Sequence, residues 1–128
     1  MNEFFQRSYE GKYQIKYEQE KSGKGIGFYY SQNNDDWRST ITLSGFEGQL
    51  FSMGFRLALS TLQNIRILLL DEIDSDASTD KSLTLYKNLL NEEKINQFFI
   101  TTHNEETKEF IKSYPECTEF FMEDGKLF

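Results

Sequence analysis

The period of the apolar positions changes along the chain, and each change predicts an element. Over 12–18 (KYQIKYE) and 25–30 (GIGFYY), aromatic and branched residues recur in short runs separated by QEKSGK. That pattern predicts a β-hairpin with a glycine-containing turn. A polar loop, SQNNDDW, then precedes a third strand expected over 38–43. From 45 to 63 the period lengthens to that of a helix, with Leu50, Phe51, Phe55, Ala58 and Leu62 near one face. Gly54 inside it costs about 1 kcal/mol relative to alanine, which implies close packing there. Residues 67–70 form a continuous apolar run, as expected of a strand buried on both faces of a parallel sheet. A helix is expected over 79–91, a strand in INQFFITTHN, and a helix in EETKEFIKSY stopped by Pro115. TEFFME and KLF read as two short strands around an Asp124-Gly125 turn. The order is a β-meander followed by α-β-α-β-α-β-β, the α/β layered class, with no internal repeat or linker.

The chain has 128 residues, enough for one domain or part of one, and its 12 Phe and 7 Tyr supply large apolar surfaces. No apolar run approaches the roughly 18 residues that cross a bilayer. The opening MNEFFQRSYEGKYQ has neither a basic n-region nor an apolar h-region. A single cysteine, Cys117, excludes an internal disulfide and suits a reducing compartment. The expectation is a soluble cytoplasmic or nucleoid-associated protein with no membrane partner. The net charge of -7 is uneven: residues 1–24 hold five Lys or Arg against four Asp or Glu, and residues 25–128 hold nine against seventeen. An acidic body argues against this piece being the main nucleic-acid contact, because neutralising phosphates needs clustered Lys and Arg. Any DNA would be touched mainly by other parts of an assembly.

Two predicted central strands end in polar clusters, ILLL running into Asp71-Glu72 and FFITT into His103. In open parallel α/β sheets ligands bind beyond the carboxyl ends of the strands, so both clusters would share one edge. Strand alternation points Asp71 and Glu72 in different directions. One carboxylate can then serve a hard cation such as Mg²⁺ while the other faces an attacking water. The plainer alternative is a strand running out into a solvated acidic loop, since Asp74 and Asp76 follow. His103, the only histidine, can hydrogen-bond a terminal phosphate as a neutral imidazole. The stretch LSGFEGQ opens the long helix. A helix N-terminus offers unpaired N–H groups and the positive end of a dipole. Gly45 permits close backbone approach and Ser44 adds a hydroxyl, together a phosphate-binding arrangement. Glu47 fits it as a cap, at capping-box spacing from Ser44, or as a partner for a sugar hydroxyl.

S-G-x-E opening a helix, an aliphatic strand ending D-E, and a strand ending in His together resemble the C-terminal half of ABC-type ATPase heads. The LSGFEGQ…FRLALS form is most similar to the SMC-like branch that includes the SbcC-type double-strand-break-repair ATPases and their phage relatives. The resemblance covers roughly residues 10–128. It implies the C-terminal lobe of a P-loop NTPase, with 1–43 a β-meander resuming the head after a coiled coil and 44–128 carrying ABC signature, Walker B strand and switch histidine. It further implies that Ser44, Gly45 and Glu47 face a nucleotide bound by the opposite protomer. Asp71 would hold Mg²⁺ through water, Glu72 would polarise the attacking water, and His103 would contact the γ-phosphate of ATP. Arg56 lies where this branch often carries an arginine coupling the signature helix to the coiled coil. The resemblance implies a head-to-head dimer on ATP, a nuclease subunit, DNA reached through the assembly, and, for the phage relatives, a setting in a phage-infected cell.

The sequence departs from that pattern in three places. Phe46 stands where the signature usually has a second glycine. IDSDASTD lacks the leucine-aspartate of the D-loop, leaving Ser75, Asp76 and Ser78 as candidates. No G-x-x-x-x-G-K-[ST] occurs, and SGKG at 22–25 lacks the upstream glycine, preceding strand and following helix. Without that loop and its lysine nothing cradles the β and γ phosphates. The expected function is therefore an ATPase only when complemented by a Walker A half, from a separate polypeptide or a removed segment, and the isolated chain is expected to be inactive. A non-hydrolysing regulatory module that donates signature and D-loop surfaces is the alternative. A third reading uses Asp71, Asp74 and Asp76 as a metal cluster.

Overall fold

The computed structural model describes residues 3–4, 13–33 and 35–128. Lys12, where the sequence pattern opens the first strand, and the rest of 5–12 lie outside the described residues, as does Asn34 of the polar loop. Strands β1 (Tyr13–Gln19) and β2 (Ile26–Gln32) pair antiparallel, with Ile15 opposite Tyr30 and Tyr17 opposite Phe28. Alternation sends Tyr13 and Ile15 into the core. The turn between the strands closes through the Glu20 N–H on the Gly25 carbonyl at 2.9 Å and requires the positive φ of Gly23, +70°.

Strand β3 (Arg38–Ser39) is only two residues long, shorter than the strand expected over 38–43. Hydroxyl groups compete with the ladder here. The Ile41 N–H donates to Ser39 Oγ at 3.4 Å, Thr42 Oγ1 donates to the Ser39 carbonyl at 2.8 Å, and Thr40 Oγ1 donates to the Phe28 carbonyl at 3.2 Å. The chain therefore winds into a 3-10 turn, Thr40–Thr42.

Helix α1 (Gly45–Leu62) buries Phe46, Leu50, Met53, Gly54, Leu57 and Ser60. The expected face is thus rotated: of its five residues only Leu50 lies on the buried stripe, and Leu62 is 82% exposed. The cause is that α1 has apolar neighbours on two sides. Phe51 and Phe55 occupy a flank where Phe28 of β2 meets both rings edge-on, at 5.5 and 5.2 Å. Asn64, at φ 56°, ends the helix. Its N–H donates to the Thr61 carbonyl and the Ile65 N–H to the Ser60 carbonyl, a Schellman arrangement with asparagine in the usual glycine place.

Strands β4 (Ile67–Asp71) and β5 (Gln97–Thr101) run parallel, joined through helix α2 (Thr79–Leu90). Leu68 and Leu70 enter the core with Leu85, Tyr86, Leu89 and Ile95. The opposite face is open, with Ile67 51%, Leu69 71% and Phe99 51% exposed. The expectation of a strand buried on both faces is therefore corrected: the described residues cover one face only.

Helix α3 (Glu105–Lys112) starts at Asn104, whose side chain accepts the Thr107 N–H at 3.0 Å, and stops three residues short of Pro115. Strands β6 (Met122–Glu123) and β7 (Lys126–Leu127) flank Asp124 and Gly125, both at positive φ as a tight primed turn requires. Among the described residues no helix is long and apolar enough to cross a membrane.

The open face makes a direct prediction. Leu70→Ala should destabilise the chain by about 2–5 kcal/mol, whereas Leu69→Ala should change its stability by less than about 0.5 kcal/mol. Urea unfolding followed by circular dichroism compares the two.

Candidate functional site

The β4–β5 register sets Asp71 opposite Thr101. Thr101 Oγ1 donates a short hydrogen bond to Asp71 Oδ1. The Glu72 N–H is shared between the Thr101 carbonyl at 3.1 Å and its hydroxyl at 3.2 Å. Glu72 leaves the strand at φ 46°, a left-handed conformation that costs a non-glycine residue about 1–2 kcal/mol. This turn carries the Glu72 carboxylate to His103, with Nε2 2.7 Å from Oε1. Both side chains remain open to solvent, the imidazole 88% so. Two residues 31 positions apart in the chain thus meet at the carboxyl edge of the sheet.

At the start of α1, Glu47 Oε2 accepts from the Ser44 N–H at 3.4 Å and from Ser44 Oγ at 2.8 Å. Its Oε1 accepts from the Tyr13 hydroxyl at 2.9 Å. Glu47 is therefore occupied: it caps α1 and ties the helix to β1. Burial pushes the Glu47 carboxyl up, but the Ser44 and Tyr13 hydrogen bonds and the nearby Lys81 charge outweigh it and hold the group below the usual carboxylate range. Burial, with the same Glu47 bond and charge, pushes the Tyr13 phenol up to about 12.

Between this helix start and the strand end lies an open cleft of about 800 Å³. Gly45, Gln49, Arg56, Asp71, Glu72 and Asp76 line it. Gln49 Nε2 donates to Asp76 Oδ2 at 3.3 Å, and a Cβ at Gly45 would stand 3.4 Å from the same oxygen. Asp76 thus docks on the first turn of α1. Gln49, not singled out in the sequence, supplies that link, and its Oε1 is buried with no partner among the described residues. Ser75 and Ser78 do not line the cleft: the Ser75 N–H bonds back to the Glu72 carbonyl, and Ser78 stands at the N-cap position of α2, its carbonyl accepting the Ser82 N–H. Among the described residues Arg56 is the one guanidinium against three carboxylates in the lining. A polyanion entering here needs added positive charge. The Asp71 carboxylate with the Thr101 hydroxyl is an all-oxygen donor set, and it fits a magnesium ion held largely through water.

Asp74 corrects two expectations. It is 4% exposed, so the chain after Glu72 is not simply a solvated acidic loop. Its carboxylate accepts from Tyr86 Oη at 3.3 Å, Thr102 Oγ1 at 2.9 Å and Thr107 Oγ1 at 2.9 Å. It is therefore spent on hydroxyls and does not join Asp71 and Asp76. Among the described residues no three of His, Cys, Asp and Glu converge to hold a metal. The signal in the sequence was faint: an acid after an aliphatic strand, and threonines at 102 and 107 far along the chain.

No protein-family model matches this sequence, and no curated relative does. Solved structures do. An SMC ATPase, from work on ATP-driven dimerisation and DNA-stimulated activation, superposes with a TM-score of 0.76 at 17% identity, over 99% of this chain and 77% of that one. An SMC head bound to the C-terminal winged-helix domain of ScpA superposes with a TM-score of 0.72 at 19% identity, over 98% of this chain and 39% of the other. The SMC head with coiled coil and joint from Pyrococcus yayanosii gives 0.72 at 16% identity, over 98% of this chain and 24% of that one. The shared property is the fold: the chain is folded like an SMC ATPase head, and it spans well under half of the two longer chains.

The Tyr13–Glu47 link predicts a pH dependence with a definite sign. The Tyr13 value lies above the ordinary 10.0, so its contribution is complete below pH 10 and is lost as the pH rises through about 12. The Glu47 value lies below 4.5, so its contribution is complete above pH 4.5 and is lost as the pH falls further. Tyr13→Phe should cost about 1 kcal/mol at pH 7 and reduce the alkaline loss. Tyr86, which burial and Asp74 also push upward, contributes to the remainder. Urea unfolding at pH 4, 7 and 11 measures both limbs.

Proposed function

We propose that this chain is the C-terminal lobe of an SMC-like ATPase head of the SbcC-type DNA-repair branch, completing an ATP site with a Walker A half supplied from outside these residues. One observation carries the reading. By strand alternation Asp71 and Thr101 share the open sheet face with Leu69 and Phe99, so whatever covers that apolar face also sits against the candidate metal carboxylate. A parallel sheet ordinarily has both faces covered, and here one waits for a second layer. That layer, on this reading, brings the phosphate loop and its lysine, the positive charge that the acidic cleft lacks.

Mg²⁺–ATP, when bound, would supply the electrophilic phosphorus and a compensating positive charge. Asp71, oriented by the Thr101 hydroxyl, would hold the ion through water. Glu72 accepts a hydrogen bond from the attacking water on Oε2, the oxygen that His103 does not occupy. His103, held beside it with its ring exposed, faces the γ-phosphate. Ser44 and Gly45 face the nucleotide of an opposed second head, for which the Ser44 hydroxyl must turn away from Glu47. Glu47 acts as the anchor of the signature helix. Asp76 and Gln49 link that helix to the loop after Glu72, and Arg56 passes the movement outward along α1. ATP-driven head dimerisation then acts on attached coiled coils, a nuclease subunit and DNA held elsewhere in the assembly. The Glu72–His103 contact favours this over a purely regulatory module, which has no chemical need for that pair.

The test is ATP turnover with Mg²⁺ for the chain alone and mixed with a Walker A half, with co-elution measured on the same samples. Turnover is expected only in the mixture, and substantial turnover by the chain alone would overturn the reading. In the mixture Glu72→Gln should keep nucleotide-driven dimerisation and lower kcat by about 100-fold or more. Leu69→Asp should abolish co-elution while leaving the isolated chain folded.

A further inference from the structure

We infer that Asp74 is a positioning residue: through Thr102 and Thr107 it clamps the turn that holds His103 against Glu72. Asp74 lies two residues beyond Glu72, and its own carbonyl accepts the Ala77 N–H at 3.1 Å, so its backbone belongs to the loop leaving β4. Its side chain points the other way, into the protein. A buried carboxylate is tolerated only where donors saturate it, and here all the donors are hydroxyls. Two of the three belong to the segment around His103. Thr102 Oγ1 donates to both carboxylate oxygens, at 2.9 and 3.2 Å, and accepts the Asn104 N–H at 3.1 Å. Thr107, fully buried, donates its hydroxyl to Asp74 Oδ2 and its N–H to Asn104 Oδ1 at 3.0 Å. His103 is thus bracketed by residues 102, 104 and 107, all fastened directly or indirectly to one carboxylate. Tyr86 from α2 supplies the third hydroxyl and is itself fully buried.

The arrangement matters because the imidazole is almost free of packing: at 88% exposure its place is set by its backbone. The two loops carrying Glu72 and His103 come from different strands, and Asp74 joins them below the exposed pair. Asp74→Asn keeps the volume but replaces one acceptor oxygen with a donor. At least one of the three hydroxyls on it, from Tyr86, Thr102 or Thr107, must then reverse, and the clamp loses a fastening.

The experiment has two arms, of which only the kinetic one rests on the proposed ATPase reading. In hydrogen exchange on the full chain, Asp74→Asn should speed the Asn104 and Thr107 amides by about tenfold or more, with the β1–β2 amides unchanged. If Asp74→Asn fails to fold, Thr102→Val, which removes one donor at constant shape, should give the same local pattern, and Thr102→Ser should restore wild-type exchange. In the reconstituted ATPase, Asp74→Asn should lower kcat by about tenfold or more with KM for ATP within about twofold. In a His103→Ala background it should lower kcat no further, because a residue acting through His103 has nothing left to position. Unchanged exchange at Asn104 and Thr107, or effects of Asp74→Asn and His103→Ala that multiply, would overturn the inference. An assembly with no wild-type turnover would overturn the ATPase reading while leaving the exchange arm to judge Asp74.

Discussion

The parallel pairing of Ile67–Asp71 with Gln97–Thr101 is the constraint on which the site depends. Parallel ladders fix both strands in one direction, so their carboxyl ends and the loops beyond them emerge at one edge. With Asp71 opposite Thr101, a hydroxyl reaches the carboxylate, the same residue receives the Glu72 N–H, and the following residues can form the Glu72–His103 contact. A shift of one residue in that register would turn Asp71 away from Thr101 and invert which leucines are buried.

The same pairing leaves one sheet face packed and the other exposed among the described residues. Leu68 and Leu70 join Leu85, Leu89 and Ile95 in a closed core, while Leu69 and Phe99 stand in solvent. The hairpin of Met122–Glu123 and Lys126–Leu127 repeats the theme, with Phe121, Met122, Leu127 and Phe128 all exposed. Exposed apolar surface on this scale marks a surface built for contact. The solved heads of like fold, with far more chain than this one, are in keeping with that.

Charge divides the site into anchors and open groups. Glu47 and Asp74 are both saturated by hydrogen bonds, the first from Tyr13 and Ser44, the second from Tyr86, Thr102 and Thr107. Asp71, Glu72 and Asp76 line the cleft, where Arg56 is the one cationic side chain among the described residues. The saturated pair holds the framework, while the other three line the cleft.

The sequence by itself determined the order of the main elements, because they depend on local periodicity: both long helices, the strand Ile67–Asp71 and the Asp124-Gly125 turn stand within a residue or two of where the pattern places them, and the strand Gln97–Thr101 lies inside the stretch it marks. It also marked Asp71, Glu72 and His103, since strand ends are legible from where an aliphatic run stops. Tertiary structure decided the rest. Arg38–Ser39 is short because hydroxyls at 39, 40 and 42 find partners that only the folded hairpin provides. The buried face of Gly45–Leu62 is rotated because Phe28 packs on its flank, a contact with no local signature. Glu47 proved to be an anchor because Tyr13, 34 positions earlier, lies within reach. Asp74 looked like one acid among several, and only the fold brings it Thr102 and Thr107 from across the sheet. Local patterns carry periodicity and polarity, whereas the partners of a buried charge are chosen by chain segments distant in sequence.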